Sequence, residues 1–226
     1  MQSAALLHLL QLASPSLPIG AYSYSQGLES AIELGIVKDE QTGRRWIVDY
    51  LQQVIAHFDA PILWRLLRAF AVADAQAVRD WTDCFIAARD TAEFRAETIQ
   101  MGYSLGKLLV DLNVADETSL AILHSLPEIP LPTALACAAV ALRVPPEAVL
   151  LASLFSWAEN LVLVCVKSVP LGQVAGQRLL LSLRAELEMA ARSAQTLSDD
   201  ELSNWAPGLS LLSMQHEVQY SRLYRS

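Results

Sequence analysis

Apolar residues recur every three or four positions along almost the whole chain, and this spacing marks one face of an α-helix. The pattern is clear over residues 47–58, 63–70, 78–88, 94–112 and 180–190. No segment alternates apolar and polar residues as a half-buried strand does. The spacing therefore predicts an all-α protein.

The helical segments are separated by short breaks rich in proline and glycine, of a length normal between packed helices. No linker, repeat or low-complexity tract divides the chain, so residues 1–226 are predicted to form a single compact, multi-helix, bundle-like domain. Asp59 and Pro61 predict the start of a new helix within this series. The breaks are Pro15–Gly20, Gly35, Pro127–Pro132, Pro145–Pro146, Pro170–Gly172 and Pro207–Gly208.

The balance of charge and apolar residues limits the classes of partner. The chain has 16 Lys and Arg against 24 Asp and Glu, a net charge of -8, so binding to a phosphate backbone is not expected. Hydrophobic residues make up 53% of the sequence and the mean hydropathy is +0.32. This is enough for a large core with apolar surface left over, which fits a protein partner or a second copy as well as a well-filled core.

Three features predict a cytoplasmic protein that does not span a membrane. The N-terminal residues lack the basic region of a secretion signal, and an odd number of widely spaced cysteines indicates reduced thiols. The most apolar stretch, Val149–Val166, is interrupted at its middle by Glu159 and Asn160. A carboxylate at a bilayer centre costs roughly 2.5–3.5 kcal/mol, so we interpret this stretch as a buried helix. The cysteines are Cys84, Cys137 and Cys165.

Catalytic motifs are incomplete wherever they begin. The stretch Gly102–Leu108 lacks the spacing and the Ser or Thr of a phosphate loop, and Tyr220 replaces the second histidine of a zinc-protease helix beginning at His216. The four histidines and three cysteines show no paired ligand spacing, so neither a metal site nor a cofactor is predicted. The remaining enzymatic alternative is a small helical enzyme with dispersed active-site residues such as Glu159 and Lys167.

The first distinctive segment is SPSLPIGAYSYSQGLE, residues 14–29. Ser23 and Gln26 predict a capping box for a helix over residues 24–34, with Gly35 just past its end. Gly27 inside that helix predicts the close approach of another backbone. A rigid loop before a well-capped helix and a functional surface are both compatible with this pattern.

The second segment, VKSVPLGQVAGQ over residues 166–177, follows the long apolar stretch. Pro170 predicts the end of one helix, and Gly172 and Gly176 predict a thin strip where another helix packs closely. Lys167 is expected to reach the surface or a carboxylate.

The third segment, SMQHEVQYSRLYRS, covers residues 213–226. It is dense in Tyr and Arg, which are enriched at interface hot spots, and poor in apolar anchors. We predict a flexible, partner-binding segment over about residues 207–226, with an ordinary frayed tail as the alternative.

Together the three segments resemble the urease accessory protein F family (UreF), in the same order along the chain. The resemblance implies an all-α, non-catalytic accessory protein that commonly forms a homodimer. It implies binding to the D (or H) type accessory protein, and through that pair to the G type, a nickel-carrying GTPase. That assembly engages apo-urease and inserts nickel with GTP.

The same resemblance implies that the C-terminal segment contacts the D-type partner. Two roles toward the GTPase stay open: stimulation of hydrolysis, with Arg222 or Arg225 as an arginine finger, or restraint until nickel and urease are in place. We favour the second, a checkpoint role. The predicted partner-binding residues are Tyr22, Ser23, Gln26, Glu29, Lys167, Gly172, Gln173, Gln177, His216, Tyr220, Arg222 and Arg225.

Overall fold

The computed structural model describes residues 2–169 and 171–226, and it confirms the predicted all-α fold. Within those ranges the chain forms no strand. Short 3₁₀ turns cover Ala21–Ser23 and Asp199–Glu201, and a π-helical segment covers Leu51–Asp59. The α-helices are α1 (Ser3–Leu12), α2 (Leu28–Glu33), α3 (Glu40–Tyr50), α4 (Ala60–Ala71), α5 (Ala75–Ala87), α6 (Ala92–Asp111), α7 (Glu117–His124), α8 (Leu131–Ala141), α9 (Pro146–Ser168), α10 (Gln173–Ser182), α11 (Arg184–Thr196) and α12 (Pro207–Glu217).

Side-chain caps fix where four of these helices begin. Asp39, Asp74, Thr91 and Asp116 each accept a hydrogen bond from a main-chain N–H in the first turn of α3, α5, α6 and α7. Each cap satisfies a donor that the helix itself leaves unpaired and stabilises the helix by about 1 kcal/mol.

Helix α4 lies at the centre of the core and packs against α5, α8, α9 and α11. Its neighbour α8 is built from small residues, and Ala134, Cys137 and Ala138 are fully buried. Small side chains let α4 and α6 approach α8 closely. Gly102 of α6 belongs to the same close packing, because a Cβ there would lie 2.0 Å from the Ile129 carbonyl oxygen.

The predicted helix start at Asp59 and Pro61 is confirmed in position, since α4 begins at Ala60 with Asp59 as its N-cap and Pro61 in its first turn. No break precedes it, because the chain continues without interruption from α3 through the π segment into α4. Proline cannot donate the main-chain bond of a regular helix, and the wider π turn lies just where that bond would be lost.

The predicted helix over residues 24–34 and its capping box are wrong. Helix α2 begins only at Leu28, after Gln26 (φ 54°) and Gly27 (φ 79°) have turned through the left-handed region. The Gln26 amide does not cap it, because this amide bonds to groups elsewhere in the fold, and it is the Ser25 hydroxyl that accepts the Glu29 N–H, at 3.4 Å. The terminator Gly35 is confirmed, with φ 70°.

Gly27 makes the close approach that the sequence predicts, although it precedes the helix. A Cβ there would lie 3.3 Å from the Leu209 side chain and 3.7 Å from the Leu209 carbonyl oxygen, so α12 crosses it closely.

The apolar face over residues 180–190 spans two helices, since α10 ends at Ser182 and α11 begins at Arg184. Gly176 packs tightly on α9, where a Cβ would lie 2.5 Å from the Val166 side chain. Gly172 has open space around it, so the predicted two-glycine strip is wrong at that position.

Helix α9 is long and apolar enough to cross a membrane by length and composition alone. In this fold it is a core helix, with Leu154, Ala158 and Leu161 buried against its neighbours. Asn160, which interrupts the apolar stretch, donates to the Tyr24 carbonyl oxygen at 2.8 Å. Pro170, predicted to end this helix, lies outside the described residues.

Candidate functional site

Residues 218–226, which we call the C-terminal strap, fold back from α12 across α2 and α6. Three glutamates accept hydrogen bonds from α12 and the strap. They are Glu29 on α2, and Glu93 and Glu97 one turn apart on α6. All three carboxylates have exposed fractions of 10% or less. Buried carboxylates require charged or hydrogen-bonding partners, and α12 and the strap provide most of them.

His216 is fully buried between two of these glutamates. Its Nε2 lies 2.9 Å from a Glu29 oxygen, and its Nδ1 lies 3.0 Å from both oxygens of Glu93. Both ring nitrogens therefore face carboxylate oxygens. Arg222 adds a cation, with Nη1 3.1 Å from Glu93.

Glu29 also binds the backbone of the strap. Its two oxygens accept the main-chain N–H groups of Leu223 at 2.7 Å and of Tyr224 at 3.1 Å. Hydrogen bonds to an ionised acceptor are about twice as strong as neutral ones, so this carboxylate orders the strap and anchors α12 together.

Glu97 joins the strap to the N-terminal loop. The Gln26 side-chain amide and the Ser226 hydroxyl both donate to its carboxylate, the latter at 2.9 Å. Burial raises the pKa of Glu97 to about 7, although the hydrogen bonds from Gln26 and Ser226 and the nearby Arg89 act in the opposite direction. This carboxyl can therefore take up a proton near neutral pH.

Hydrogen bonds to main-chain oxygens hold the strap to the first sequence segment. The Arg225 N–H donates to the Ser23 carbonyl oxygen at 2.7 Å, and the Ser25 hydroxyl donates to the Ser226 oxygen at 2.5 Å. The Gln26 N–H donates to the same Ser226 oxygen at 3.2 Å. The first and third segments thus form one site.

The second sequence segment reaches the strap through Tyr224. This tyrosine is buried, and the Lys167 Nζ lies 5.8 Å from its ring centroid, within the range of a cation–π contact. Burial also raises the pKa of the Tyr224 hydroxyl. Lys167 itself stays exposed, as the sequence predicts for a lysine at a helix end.

The remaining predicted residues of the second segment lie away from this convergence. Gly172, Gln173 and Gln177 are exposed at the start of α10. The two predicted tyrosines, Tyr22 and Tyr220, are exposed and make no hydrogen bond within the described residues. Of the predicted set, the structure thus brings together Ser23, Gln26, Glu29, Lys167, His216, Arg222 and Arg225.

Glu93 and Glu97 were missed from the sequence, although a signal was present. Glu97 lies on the buried face of α6, four residues before Met101 and eight before Leu105. A glutamate in an apolar stripe needs a partner, and Glu93 one turn earlier marks the same face.

The outward side of the seated strap carries large apolar side chains, and more lie nearby in sequence. Val218, Tyr220 and Leu223 are each at least 75% exposed, while their neighbours Tyr224 and Ser226 are buried. The exposed surface continues along α12 and the residues before it, including Trp205, Leu211 and Met214. Large exposed apolar groups next to polar anchors are typical of a protein-binding surface.

The two residues of the enzymatic alternative are not joined. Burial raises the pKa of Glu159, but Glu159 and Lys167 form no ion pair or hydrogen bond in the part of the chain that the structure describes. Among residues 2–169 and 171–226, no group of three or more His, Cys, Asp or Glu side chains is arranged to hold a metal ion.

Comparison with known proteins decides the family. A model of the UreF family matches residues 37–184. The urease accessory protein UreF of Janthinobacterium sp. (strain Marseille) is 75% identical over 226 residues, which is 100% of both chains. The chain belongs to the UreF family. Corresponding proteins of Nitrosospira multiformis and Azoarcus sp. (strain BH72) are 64% and 49% identical, each over 98% of this chain and over 98% and 95% of their own.

The UreF family model ends before the strap and begins after the first sequence segment. The full-length UreF relatives nevertheless align across both segments. Membership confirms the resemblance drawn from the sequence, and it supports a role in urease maturation.

Proposed function

We propose that this chain is a non-catalytic scaffold that couples the nickel-carrying G-type GTPase to the D/H-type accessory protein and apo-urease for GTP-dependent nickel insertion. Family membership supports the general role. The observation that carries the scaffold proposal is the seated strap, in which buried charges fix one face while Val218, Tyr220 and Leu223 face outward.

Reconstitution tests the general role. Apo-urease is activated with nickel, GTP and the other accessory proteins, with and without this chain. We expect strong dependence on the chain and its absence from the purified active enzyme. Equal activation without it would refute the proposal, and permanent residence in active urease would instead indicate a structural subunit.

The surface around the strap is proposed to bind the D/H-type protein. The exposed Tyr220 and Leu223 provide apolar contact area, and the buried anchors limit the entropy lost when they become ordered. We expect Tyr220→Ala with Leu223→Ala to abolish capture of the D/H-type protein without lowering the melting temperature. Val72→Ala, at a position 75% exposed elsewhere on the surface, is the matched control and should bind normally.

The GTPase is proposed to dock on the complex so formed, with this chain acting as a checkpoint on hydrolysis. Arg222 is held by Glu93, and Arg225 is exposed. Under the checkpoint proposal, Arg222→Ala and Arg225→Ala change the nickel and urease dependence of GTP hydrolysis only modestly. A loss of about 10³-fold or more in hydrolysis by the intact complex would instead identify an arginine finger.

A homodimer is also proposed. Helix α1 leaves Leu6, Leu7 and Leu10 between 44% and 67% exposed, which is apolar surface suited to a second copy. Light scattering should give twice the chain mass, and Leu7→Glu with Leu10→Glu should give the single-chain mass. A monomer at all concentrations would contradict this part of the proposal.

A further inference from the structure

Glu97 lies between two pockets. On one side, a cleft beneath the strap is lined by Glu97 together with Arg222, Arg225 and Ser226. On the other side, the same glutamate lines a half-open pocket of about 140 Å³ together with Arg89. Only 4% of Glu97 is exposed, and strap residues 225 and 226 cover it on the side of the cleft.

Several other titratable or charged groups face this carboxyl. Arg89 lowers and Asp59 raises its pKa, and Glu97 in turn raises the pKa of Tyr24 and Tyr50. Uncharged neighbours from α8 and α9 contribute to the lining of the half-open pocket. The titratable and charged groups around Glu97 are Tyr24 in the N-terminal loop, Tyr50 on α3, Asp59 of the π segment, Arg89 after α5, Glu93 on α6, Glu217 at the end of α12, and Arg222 and Arg225 on the strap.

Lifting the strap would change the surroundings of this carboxyl in three ways. It would remove the hydrogen bond from the Ser226 hydroxyl, carry away the Arg222 and Arg225 guanidinium groups, and open the cleft so that water reaches the carboxylate. The first two changes raise the pKa of Glu97 and the third lowers it, and hydration decides the direction because burial is the largest influence on this pKa. A hydrated carboxylate holds its proton less tightly than a buried one, so the seated and lifted states differ in proton affinity.

We propose that Glu97 is a proton-linked latch for the C-terminal strap, which is held most firmly at mildly acidic pH and opens more readily as the pH approaches and passes neutrality. The latch is a property of the chain alone, and its test does not depend on the maturation assay.

The sign follows from linkage. The pKa of Glu97 is raised from 4.5 to about 7 with the strap seated, so between these values the seated state binds a proton that the lifted state releases. The equilibrium therefore moves toward the lifted state as the pH rises through this window, and it levels off above about 7. If lifting only partly hydrates Glu97, the ratio of lifted to seated strap still rises about tenfold between pH of about 5 and about 8.

A spin label on the strap measures this ratio. Tyr220 is fully exposed, so Tyr220→Cys carries a nitroxide without disturbing the core, in a Cys84→Ser background that leaves only buried native thiols. The mobile fraction of the electron paramagnetic resonance spectrum is recorded across the pH window. We expect it to rise with pH in the parent chain, with the fold checked by circular dichroism at each pH.

Three variants separate Glu97 from the other groups. Glu97→Gln cannot titrate and should reduce the pH dependence to less than about twofold, whereas Asp111→Asn, an exposed carboxylate on the same helix, should leave it unchanged. Glu97→Met serves the same comparison if the glutamine variant does not fold. A pH dependence that survives in the Glu97 variants would assign it to other groups and overturn the latch, as would a parent chain whose strap is equally mobile at every pH.

Discussion

The Nε2 of His216 lies 2.9 Å from a carboxylate oxygen of Glu29, a residue 187 positions earlier in the chain. The same imidazole faces Glu93 from its other nitrogen, so one buried side chain contacts two carboxylates and joins three helices. Two of the three distinctive sequence segments therefore meet at a single ionic contact.

Removal of this imidazole is expected to destabilise the protein strongly. His216→Ala leaves Glu29 and Glu93 buried without the imidazole that both contact, and removing one partner of a buried pair in this way costs about 3–5 kcal/mol. Urea unfolding should show the loss in the free energy of unfolding. His124→Ala, at an exposed position on α7, should stay within about 0.5 kcal/mol of the parent. Equal effects from the two substitutions would contradict the buried ionic contact.

Gly102→Ala is expected to destabilise the protein although alanine favours helices. The new Cβ would lie 2.0 Å from the Ile129 carbonyl oxygen, so α6 or the loop before α8 must move, at a cost of about 1–3 kcal/mol. At Gly208, also in a helix but with open space around it, the same change should be neutral or mildly stabilising. Melting temperatures of both variants check the difference, and a stable Gly102 variant would contradict the close approach.

Arg89→Ala is expected to cost about 3 kcal/mol or more. The Arg89 guanidinium is buried, pairs with Asp59 at 2.8 Å and lies 4.2 Å from the Phe85 ring centroid, so its loss strands a carboxylate and removes packing. Arg192→Ala breaks an exposed pair with Glu188 and should change the free energy of unfolding by less than about 0.5 kcal/mol. Chemical denaturation of the two variants would contradict this ranking if both losses were small.

The three thiols are expected to react at very different rates. Burial raises the pKa of Cys137 and of Cys165 to about 12, while Cys84 is half-buried with a smaller rise in its pKa. Because the thiolate is the nucleophile, iodoacetamide near pH 8 should label Cys84 alone until the protein is unfolded. Mass spectrometry of the labelled peptides provides the measurement. Early labelling at Cys137 would contradict the tight packing of α8.

Periodicity was sufficient to predict the all-α class and the long helix α6, since apolar faces every three or four residues leave few alternatives. It was insufficient at the helix boundaries. Asp59 and Pro61 marked where α4 begins but not the π segment that joins it to α3, and Gln26 matched a capping motif while its side chain bonds to Glu97. Both shortcomings arise because local patterns carry no information about distant partners.

The site was predictable in part for the same reason. The distinctive segments included His216, Arg222 and Glu29, because unusual residues clustered there. Glu93 and Glu97 lie in an ordinary helical stretch, and their importance depends on a strap more than a hundred residues away. That the segment over residues 207–226 loosens in the free protein stays a prediction, which the spin-label experiment also addresses.

The sequence separation of Glu29 and His216 also sets an order in time. During synthesis Glu29 leaves the ribosome 187 residues ahead of His216, and Glu93 leaves it 123 residues ahead of His216. Through most of translation these carboxylates have no partner from α12 or the strap, and a chain that stops early never acquires one. The surface around the strap therefore exists only on chains whose synthesis has passed residue 223, so that any partner recognising it selects against unfinished copies.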